Sequence, residues 1–226
     1  RVAEPQLILL PGMDGTGRLF APLLRELGVD AAVLAHPADR PLDYDALLED
    51  VARHLPPGPL VVLGESFSGP LAVRLAAERD DIVGLVLCAT FVRGPRSGAL
   101  LRLAELVARG APPALVVRAL LAGFDAPRAL VDEVRSAVAT LAPGVFRARL
   151  RAVRTVDVSS VLAATTCPVL DLRATHDRLV GASARRDVLR ARPDAEAQTL
   201  ESPHLVAQRR PAEVAALLRA FVERCR

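Results

Sequence analysis

The feature that most constrains the fold of this chain is a regular alternation of short apolar runs with amphipathic stretches. The apolar runs have the length and composition of buried parallel strands, and they lie at 7–10, 31–35, 60–63, 82–87, 169–172 and 195–200. The amphipathic stretches carry apolar residues at helical spacing, and they lie at 18–27, 44–55, 67–78, 184–191 and 212–223. This order predicts an α/β fold, with a mostly parallel sheet of about six strands and helices on both faces.

The alternation breaks between residues 92 and 156. Four amphipathic stretches follow one another there, with glycines and prolines between them and no strand pattern. We therefore expect a helical lid at 92–156, inserted into a core that is formed by 1–91 and 157–226. A chain of 226 residues is long enough for one such domain and too short for two full-sized ones.

The segment LVVLGESFSGPLAVRLAAE, at 60–78, predicts a strand, a sharp turn at Ser66 and a helix. Such a turn holds a serine in a strained backbone conformation at the carboxyl end of the sheet, with its hydroxyl exposed. The pattern G-x-S-x-G needs small residues on both sides because strand and helix pass closely there. Gly64 fills the first place, and Ser68 stands where the pattern has its second glycine. On its own, this match would equally suit a turn that merely ends a strand.

A glycine-rich loop, PGMDGTG at 11–17, follows the first strand. It lacks the Lys-Ser/Thr pair of a P-loop and does not fit the spacing G-x-G-x-x-G, so phosphate binding is the weaker interpretation. Beside the serine turn, its backbone donors would form part of an oxyanion hole. We expect the two donors to be the N–H groups of Met13 and of Phe67, the residue after the nucleophile.

A nucleophilic serine needs a base, and the chain has four histidines. His204 lies between the last strand and the last helix, at the sheet edge where this architecture carries its base, so we predict that His204 is the general base. The other three fit other roles. His54 ends an amphipathic helix, His176 adjoins the predicted acid, and His36 opens a loop after the second strand.

The acid that orients the base should follow the preceding strand, in the chain order nucleophile, acid, base. Asp177 lies in the loop after the run at 169–172, and we predict that it is this acid. Asp171 is the alternative. It falls inside the strand pattern, where the expected role is a buried or edge polar group with an arginine partner.

Four pieces in order, PGMDGTG, GESFSG, the Asp177 loop and the His204 turn, make the chain resemble the α/β-hydrolase superfamily over essentially its whole length. The first two pieces also resemble the esterase, lipase and thioesterase family that includes the plant phytyl ester synthases. The resemblance implies an α/β-hydrolase fold and a serine hydrolase, without a cofactor, that cleaves a carboxylic ester or thioester with a hydrophobic acyl group. Two alternatives stay open: an acyltransferase that passes the acyl group to an alcohol, and a non-catalytic ligand-binding protein on the same scaffold.

The predicted lid is basic. It holds 11 arginines and four acidic residues, a net charge of +7, whereas the rest of the chain has a net charge of −4. Arg147, Arg151 and Arg154 fall on one face of a predicted helix, which ordinarily means a solvated face. The alternative is contact with an anionic partner, such as an acyl carrier or a lipid surface. Nucleic acid fits less well, because aromatic residues make up only 3% of the chain and no binding motif is present.

The composition argues against several other classes. Hydrophobic residues make up 51% of the chain, yet no apolar run approaches the roughly 18 residues of a membrane span. The first residues lack a signal-peptide pattern, so we expect a cytoplasmic location. Cys88, Cys167 and Cys225 are odd in number and without metal-ligand spacing, which predicts reduced thiols, no disulfide framework and no zinc site.

Overall fold

The central element is a six-stranded parallel sheet, seen in a computed structural model that describes residues 4–95 and 110–226. The strand order is β2-β1-β3-β4-β5-β6. This sheet confirms the predicted fold class. The strands are β1 Gln6–Leu10, β2 Ala31–Val33, β3 Leu60–Glu65, β4 Ile82–Cys88, β5 Val169–Ala174 and β6 Glu196–Leu200.

Helices cover both faces of the sheet, and the alternation of side chains along each strand divides the core into two layers. In β3, Val62 packs into the layer beneath the second and third helices, whereas Val61 packs into the layer beneath the first and last helices. Pro211 begins the last helix, as its fixed φ angle favours. These helices are α1 Ala21–Leu27, α2 Tyr44–His54, α3 Gly69–Glu78, α7 Ser159–Ala164, α8 Ala182–Ala191, α9 Val206–Arg209 and α10 Pro211–Arg224.

Helical segments connect β4 to β5 in the described part of the predicted lid. They are α4 Ala114–Val117, a π-helical turn Arg118–Ala122, α5 Arg128–Ala139 and α6 Val145–Thr155. An antiparallel bridge between Arg93 and Asp157, reinforced by a 2.7 Å ion pair between their side chains, joins the two ends of this connection. Residues 96–109 of the predicted lid lie outside the described residues, and its role as a lid stays a prediction.

A separate apolar cluster holds part of this connection against the core. Val131 and Val134 of α5 pack with Val117 of α4, and with Leu19 and Leu205 of the core. Leu205 adjoins His204, so the connection reaches the edge of the sheet where the candidate site lies. Within residues 4–95 and 110–226, no helix is long and apolar enough to cross a membrane. The cytoplasmic location stays a prediction.

Candidate active site

Ser66 lies at the turn between β3 and α3, and its backbone has the positive φ angle of 50° that side chains other than glycine rarely adopt. Gly64 makes this turn possible. A Cβ atom at Gly64 would lie 2.5 Å from the carbonyl oxygen of Ser68 and 2.8 Å from the Cβ of Ala72. The strand and the helix therefore approach too closely for any side chain at this position.

Ser68, where the G-x-S-x-G pattern has glycine, is fully buried and has its own hydrogen bonds. Its hydroxyl donates to the carbonyl oxygen of Pro11 and lies 2.7 Å from Nε2 of His36. The position that demands glycine is the next one along the chain, because a Cβ atom at Gly69 would collide with the side chain of Thr90. The Thr90 hydroxyl in turn donates to the carbonyl oxygen of Ser66. Ser68 thus carries a buried, hydrogen-bonded hydroxyl, and the close approach that requires glycine falls at Gly69.

The side chains of Ser66, His204 and Asp177 form a continuous hydrogen-bonded chain. Nε2 of His204 lies 2.9 Å from Oγ of Ser66, and Nδ1 of His204 lies 2.8 Å from Oδ2 of Asp177. The other carboxylate oxygen of Asp177 accepts the N–H groups of Leu179 at 2.9 Å and of Val180 at 2.8 Å. A carboxylate at Nδ1 fixes the proton there, which leaves Nε2 free to accept the serine proton.

The alternative residues occupy other places. Asp171 is fully buried in β5 and forms ion pairs with Arg173 at 2.6 Å and with Arg185 at 2.9 Å. His176 is exposed, one residue before Asp177. His54 ends α2, where its Nδ1 lies 2.7 Å from the carbonyl oxygen of Asp50.

The two predicted oxyanion donors belong to residues near Ser66. Gly12, next to Met13, packs against Ser66, since a Cβ atom at Gly12 would lie 3.7 Å from the Cβ of Ser66. The carbonyl oxygen of Gly12 accepts the N–H of Gly15 at 3.0 Å, so the N–H of Met13, across the same peptide group, points the opposite way. Phe67 follows Ser66 directly in the turn.

Phe67 is clamped by the only tyrosine of the chain. The Tyr44 hydroxyl donates to the carbonyl oxygen of Phe67 at 2.7 Å, and the two rings stack with their centroids 4.8 Å apart. Both side chains are buried in the same layer of the core. The backbone on the carboxyl side of Ser66 is therefore rigidly held.

Two further titratable groups are buried beside the turn. Glu65, which precedes Ser66, accepts a hydrogen bond from Nε2 of Gln208 at 2.8 Å. Burial raises the pKa of the Glu65 carboxyl to about 7. His36 is almost fully buried, and the pKa of its imidazole is lowered to about 3. Burial is the main cause, and the nearby positive charge of Arg149 adds to it. His36 is therefore neutral at neutral pH.

Comparison with known proteins identifies the family. Residues 7–217 match the alpha/beta hydrolase family. The chain belongs to that family. No curated protein sequence matches this chain significantly. The narrower resemblance to the phytyl ester synthases stays a prediction.

Solved structures of low sequence identity share this alpha/beta hydrolase fold. A bromoperoxidase from Bacillus anthracis superposes with a TM-score of 0.85 at 15% identity, covering 98% of this chain and 92% of that one. A lipase-esterase related protein from Clostridium acetobutylicum has a TM-score of 0.82 at 15% identity, with coverages of 97% and 95%. An enol-lactonase from Burkholderia xenovorans has a TM-score of 0.75 at 16% identity, with coverages of 98% and 92%.

The three arginines that were predicted to share a face lie on α6 of this alpha/beta hydrolase. Arg147 and Arg151 are exposed and Arg154 is partly buried. Arg149, between them, was not singled out from the sequence, and its side chain is 1% exposed. The sequence does contain a signal for this burial, because position 149 has helical spacing with the apolar positions 145, 152 and 153. In the structure these four positions form a buried stripe on α6.

Other residues around the site carry little or no signal in the sequence. Glu65, Gln208, Tyr44 and Thr90 hold the turn through contacts between segments that are far apart in the chain. Only Glu65 stands inside a recognisable motif, at the variable position of G-x-S-x-G. A charged residue at the end of an apolar strand is the one hint that it is buried.

Proposed function

We propose that this alpha/beta hydrolase is a serine hydrolase that cleaves a carboxylic ester or thioester with a hydrophobic acyl group through an acyl-enzyme. The observation that carries the proposal is the hydrogen-bonded chain from Ser66 Oγ through His204 to Asp177, with distances of 2.9 and 2.8 Å. A nucleophile, a base and an orienting acid in this order can perform acyl transfer on any fold that holds them so.

In the first half of the reaction, Oγ of Ser66 attacks the carbonyl carbon of the substrate while Nε2 of His204 takes the hydroxyl proton. The carbonyl oxygen becomes an oxyanion, which the N–H groups of Met13 and Phe67 stabilise. When the tetrahedral intermediate collapses, the bond to the leaving alcohol or thiol breaks, and His204 returns the proton to that group. Asp177 holds the imidazole and stabilises its cationic form throughout.

In the second half, water attacks the acyl-enzyme, and His204 again takes and returns one proton. The carboxylic acid leaves and Oγ of Ser66 regains its hydrogen. An alcohol in place of water would give a new ester by the same steps. The acyltransferase alternative therefore uses the same residues and differs only in which acceptor reaches the acyl-enzyme.

Exposed apolar side chains next to the triad support a hydrophobic acyl group. Phe124 is 59% exposed and Leu179 is 42% exposed. Leu179 donates its N–H to Asp177, and Gly123, beside Phe124, packs against Pro203, the neighbour of His204. An apolar surface at this place would bind an alkyl chain whose carboxyl end reaches Ser66.

A fluorophosphonate probe tests the nucleophile. The native chain should be labelled at Ser66, as read by peptide mass spectrometry, and Ser66→Ala should stay unlabelled. Ser160→Ala is the matched control, because Ser160 is an exposed serine on α7. Labelling at another residue, or no labelling of the native chain, would contradict the proposal.

Substrate panels test the acyl group and the acceptor. A series of p-nitrophenyl esters and acyl thioesters of increasing chain length should show kcat/KM rising with length. Phe124→Ala and Leu179→Ser should reduce that rise, whereas Leu24→Ser, an exposed leucine on α1, should not change it. A native enzyme that transfers most of its acyl groups to an added alcohol, in the presence of excess water, would favour the acyltransferase alternative.

A further inference from the structure

Arg149 is the largest fully buried side chain among the described residues, and it lies on α6 with its guanidinium pointing at the loop that carries Met13. Nη1 donates to the carbonyl oxygen of Met13 at 2.7 Å, and Nη2 donates to the carbonyl oxygen of Pro37 at 2.9 Å. One side chain therefore joins the helix to two loops of the core.

Among the described residues, this buried cation has no ion-pair partner. Within residues 4–95 and 110–226, no carboxylate oxygen lies within 4.0 Å of the Arg149 guanidinium; Asp14 acts on it only from farther away. Burial lowers the pKa of Arg149 to about 10, so the side chain is still charged at neutral pH. Burying a charge is unfavourable unless hydrogen bonds compensate it, and here backbone carbonyl groups provide them.

The loop at 11–17 is shaped around this guanidinium. Gly15 has a φ angle of +71°, and a Cβ atom there would lie 2.5 Å from Nη1 and 2.8 Å from Nη2 of Arg149. The guanidinium carbon also lies 5.9 Å from the centroid of the Phe67 ring. Arg149 thus contacts both residues that are proposed to donate to the oxyanion, and touches neither of their N–H groups.

These contacts fix the conformation of Met13 from both sides. The peptide group before its Cα is held by the hydrogen bond from the Gly15 N–H to the Gly12 carbonyl, and the peptide group after it is held by Arg149. Three glycines in seven residues make the loop intrinsically flexible, so its donor needs such restraints. A donor that is displaced by a fraction of an ångström loses much of its effect on the transition state.

We propose that Arg149 is a positioning residue for the oxyanion hole, which holds the Met13 carbonyl group so that the Met13 N–H faces the oxyanion. The proposal rests on the proposed serine hydrolase function. It also makes the connection between β4 and β5 part of the catalytic machinery, because the docking of α6 and the geometry of the loop depend on the same side chain.

The test compares Arg149→Met with the control Arg192→Met. Arg192 is also a buried arginine that donates to backbone carbonyl groups, those of Thr165 at 2.9 Å and Cys167 at 3.1 Å, ahead of the amino end of β5 and away from the triad. Both variants should lower the melting temperature. Only Arg149→Met should lower kcat for p-nitrophenyl butyrate, by about 10- to 100-fold with little change in KM. This loss is smaller than the roughly 10²- to 10³-fold loss in kcat that follows removal of an oxyanion donor itself.

A thionoester supplies a readout that a purely structural role would not change. Sulfur accepts hydrogen bonds poorly, so the ratio of kcat for an ester to kcat for the matching thionoester measures how well the oxyanion hole works. That ratio should fall in Arg149→Met, recover in part in Arg149→Lys, which can still reach one carbonyl group, and stay at the native value in Arg192→Met.

Gly15→Ala is a second variant, which displaces the guanidinium without removing it. Its effect on kcat should be smaller in the Arg149→Met background, because the clash is gone there and only the strain of an alanine at a φ angle of +71° remains. The positioning role would be overturned if Arg149→Met kept the native kcat and the native ester-to-thionoester ratio. It would also be overturned if Arg192→Met lost as much of both as Arg149→Met. A native enzyme that is neither labelled at Ser66 nor active on esters would instead overturn the proposed function, so the two failures are distinguishable.

Discussion

The hydroxyl of Ser68 donates a hydrogen bond to the carbonyl oxygen of Pro11, which ties the turn at Ser66 to the start of the loop that carries Met13. His36 completes the link, with Nε2 at 2.7 Å from the same hydroxyl oxygen. Since the hydroxyl is already the donor to Pro11, it accepts from Nε2–H of His36. Ser66, the proposed nucleophile, and one proposed oxyanion donor are thus held at a fixed separation by a side chain that the common pattern G-x-S-x-G lacks.

Ser68→Ala tests this link. The substitution keeps the Cβ atom and leaves the Pro11 carbonyl and the His36 N–H buried without their partner, which should lower the free energy of unfolding by about 1 to 3 kcal/mol. We also expect kcat to fall with little change in KM, because the Met13 loop loses a restraint. Urea denaturation and ester kinetics measure the two effects, with Ser160→Ala as control. A variant as stable as the native chain would mean that the hydroxyl is dispensable.

The sequence predicts the parts of this site that depend on local pattern. Periodicity predicts the strands and helices. The sharp turn and the chain order nucleophile, acid, base single out Ser66, Asp177 and His204, and the structure brings these three side chains together. A parallel sheet places the carboxyl ends of its strands along one edge, so side chains that follow different strands meet there without any further signal.

The remaining contacts could not be predicted, because they join segments whose separation is set only by packing. Nothing in the residues around Arg149 indicates that its partners are the carbonyl groups of Met13 and Pro37. Every residue has a backbone carbonyl group, so nothing in the sequence marks the residue whose carbonyl group a side chain binds. Likewise, a serine in place of glycine at Ser68 looks like a defect until the position of Pro11 is known.

Backbone strain at Ser66 leads to a prediction about stability. Both Ser66→Ala and Ser66→Gly should abolish ester hydrolysis, because both lack the nucleophile. A φ angle of 50° costs a residue with a Cβ atom about 1 kcal/mol or more, and glycine adopts it freely. Ser66→Gly should therefore exceed Ser66→Ala in free energy of unfolding by about 1 kcal/mol, as measured by urea denaturation. A less stable glycine variant would show that the turn is not strained.

The two aspartates near β5 should separate catalysis from stability. Asp177→Asn should reduce kcat by about 10⁴-fold, because an amide at Nδ1 no longer fixes the tautomer of His204. Asp171→Asn should leave kcat near the native value and lower the free energy of unfolding by about 3 kcal/mol, because Arg173 and Arg185 lose their buried partner. Kinetics and denaturation on both variants decide the assignment, and a crippled Asp171→Asn with an active Asp177→Asn would reverse it.

The charge of α6 predicts a selectivity for anionic substrates. If an acyl carrier or lipid headgroup contacts this face, changing Arg147, Arg151 and Arg154 together to Glu should raise KM for anionic esters and leave small neutral esters nearly unchanged. Arg147→Glu alone should act in the same direction, and Arg128→Glu on α5 is the exposed control. Added salt should weaken the native preference, since exposed charges are screened beyond about 8 Å. Equal changes for anionic and neutral esters would indicate a solvated surface.

Glu65 and His36 predict opposite dependences of stability on pH. For Glu65 the pKa rises from 4.5 in the unfolded chain to about 7 in the folded one, so the folded state retains a proton that the unfolded state loses. Its contribution is complete below pH 4.5 and is lost as the pH rises toward 7, a difference of about 3 kcal/mol at 1.36 kcal/mol per pKa unit. Burial is the main cause, and the negative charge of Asp14 adds to it, whereas Gln208 opposes it.

For His36 the sign is reversed. Its pKa falls from 6.5 in the unfolded chain to about 3, so the unfolded state binds the proton first as the pH drops. Stability from this group is complete above pH 6.5 and is lost as the pH falls toward 3. Burial dominates, the positive charge of Arg149 adds to the shift, and Asp50 and the carbonyl group of Pro11 oppose it.

Between about pH 4.5 and 6.5 the two groups oppose each other, so the native chain should show only a shallow dependence on pH from this pair. Glu65→Gln removes the falling contribution, and its free energy of unfolding should rise steeply from pH 4.5 to 6.5. His36→Gln removes the rising contribution and should give a curve that falls over the same interval. His176→Gln, at an exposed histidine, should follow the native curve. Urea denaturation at pH 4.5, 5.5, 6.5 and 7.5 measures all four curves. Parallel curves for Glu65→Gln and the native chain would mean that folding does not raise the pKa of the Glu65 carboxyl, in spite of its burial.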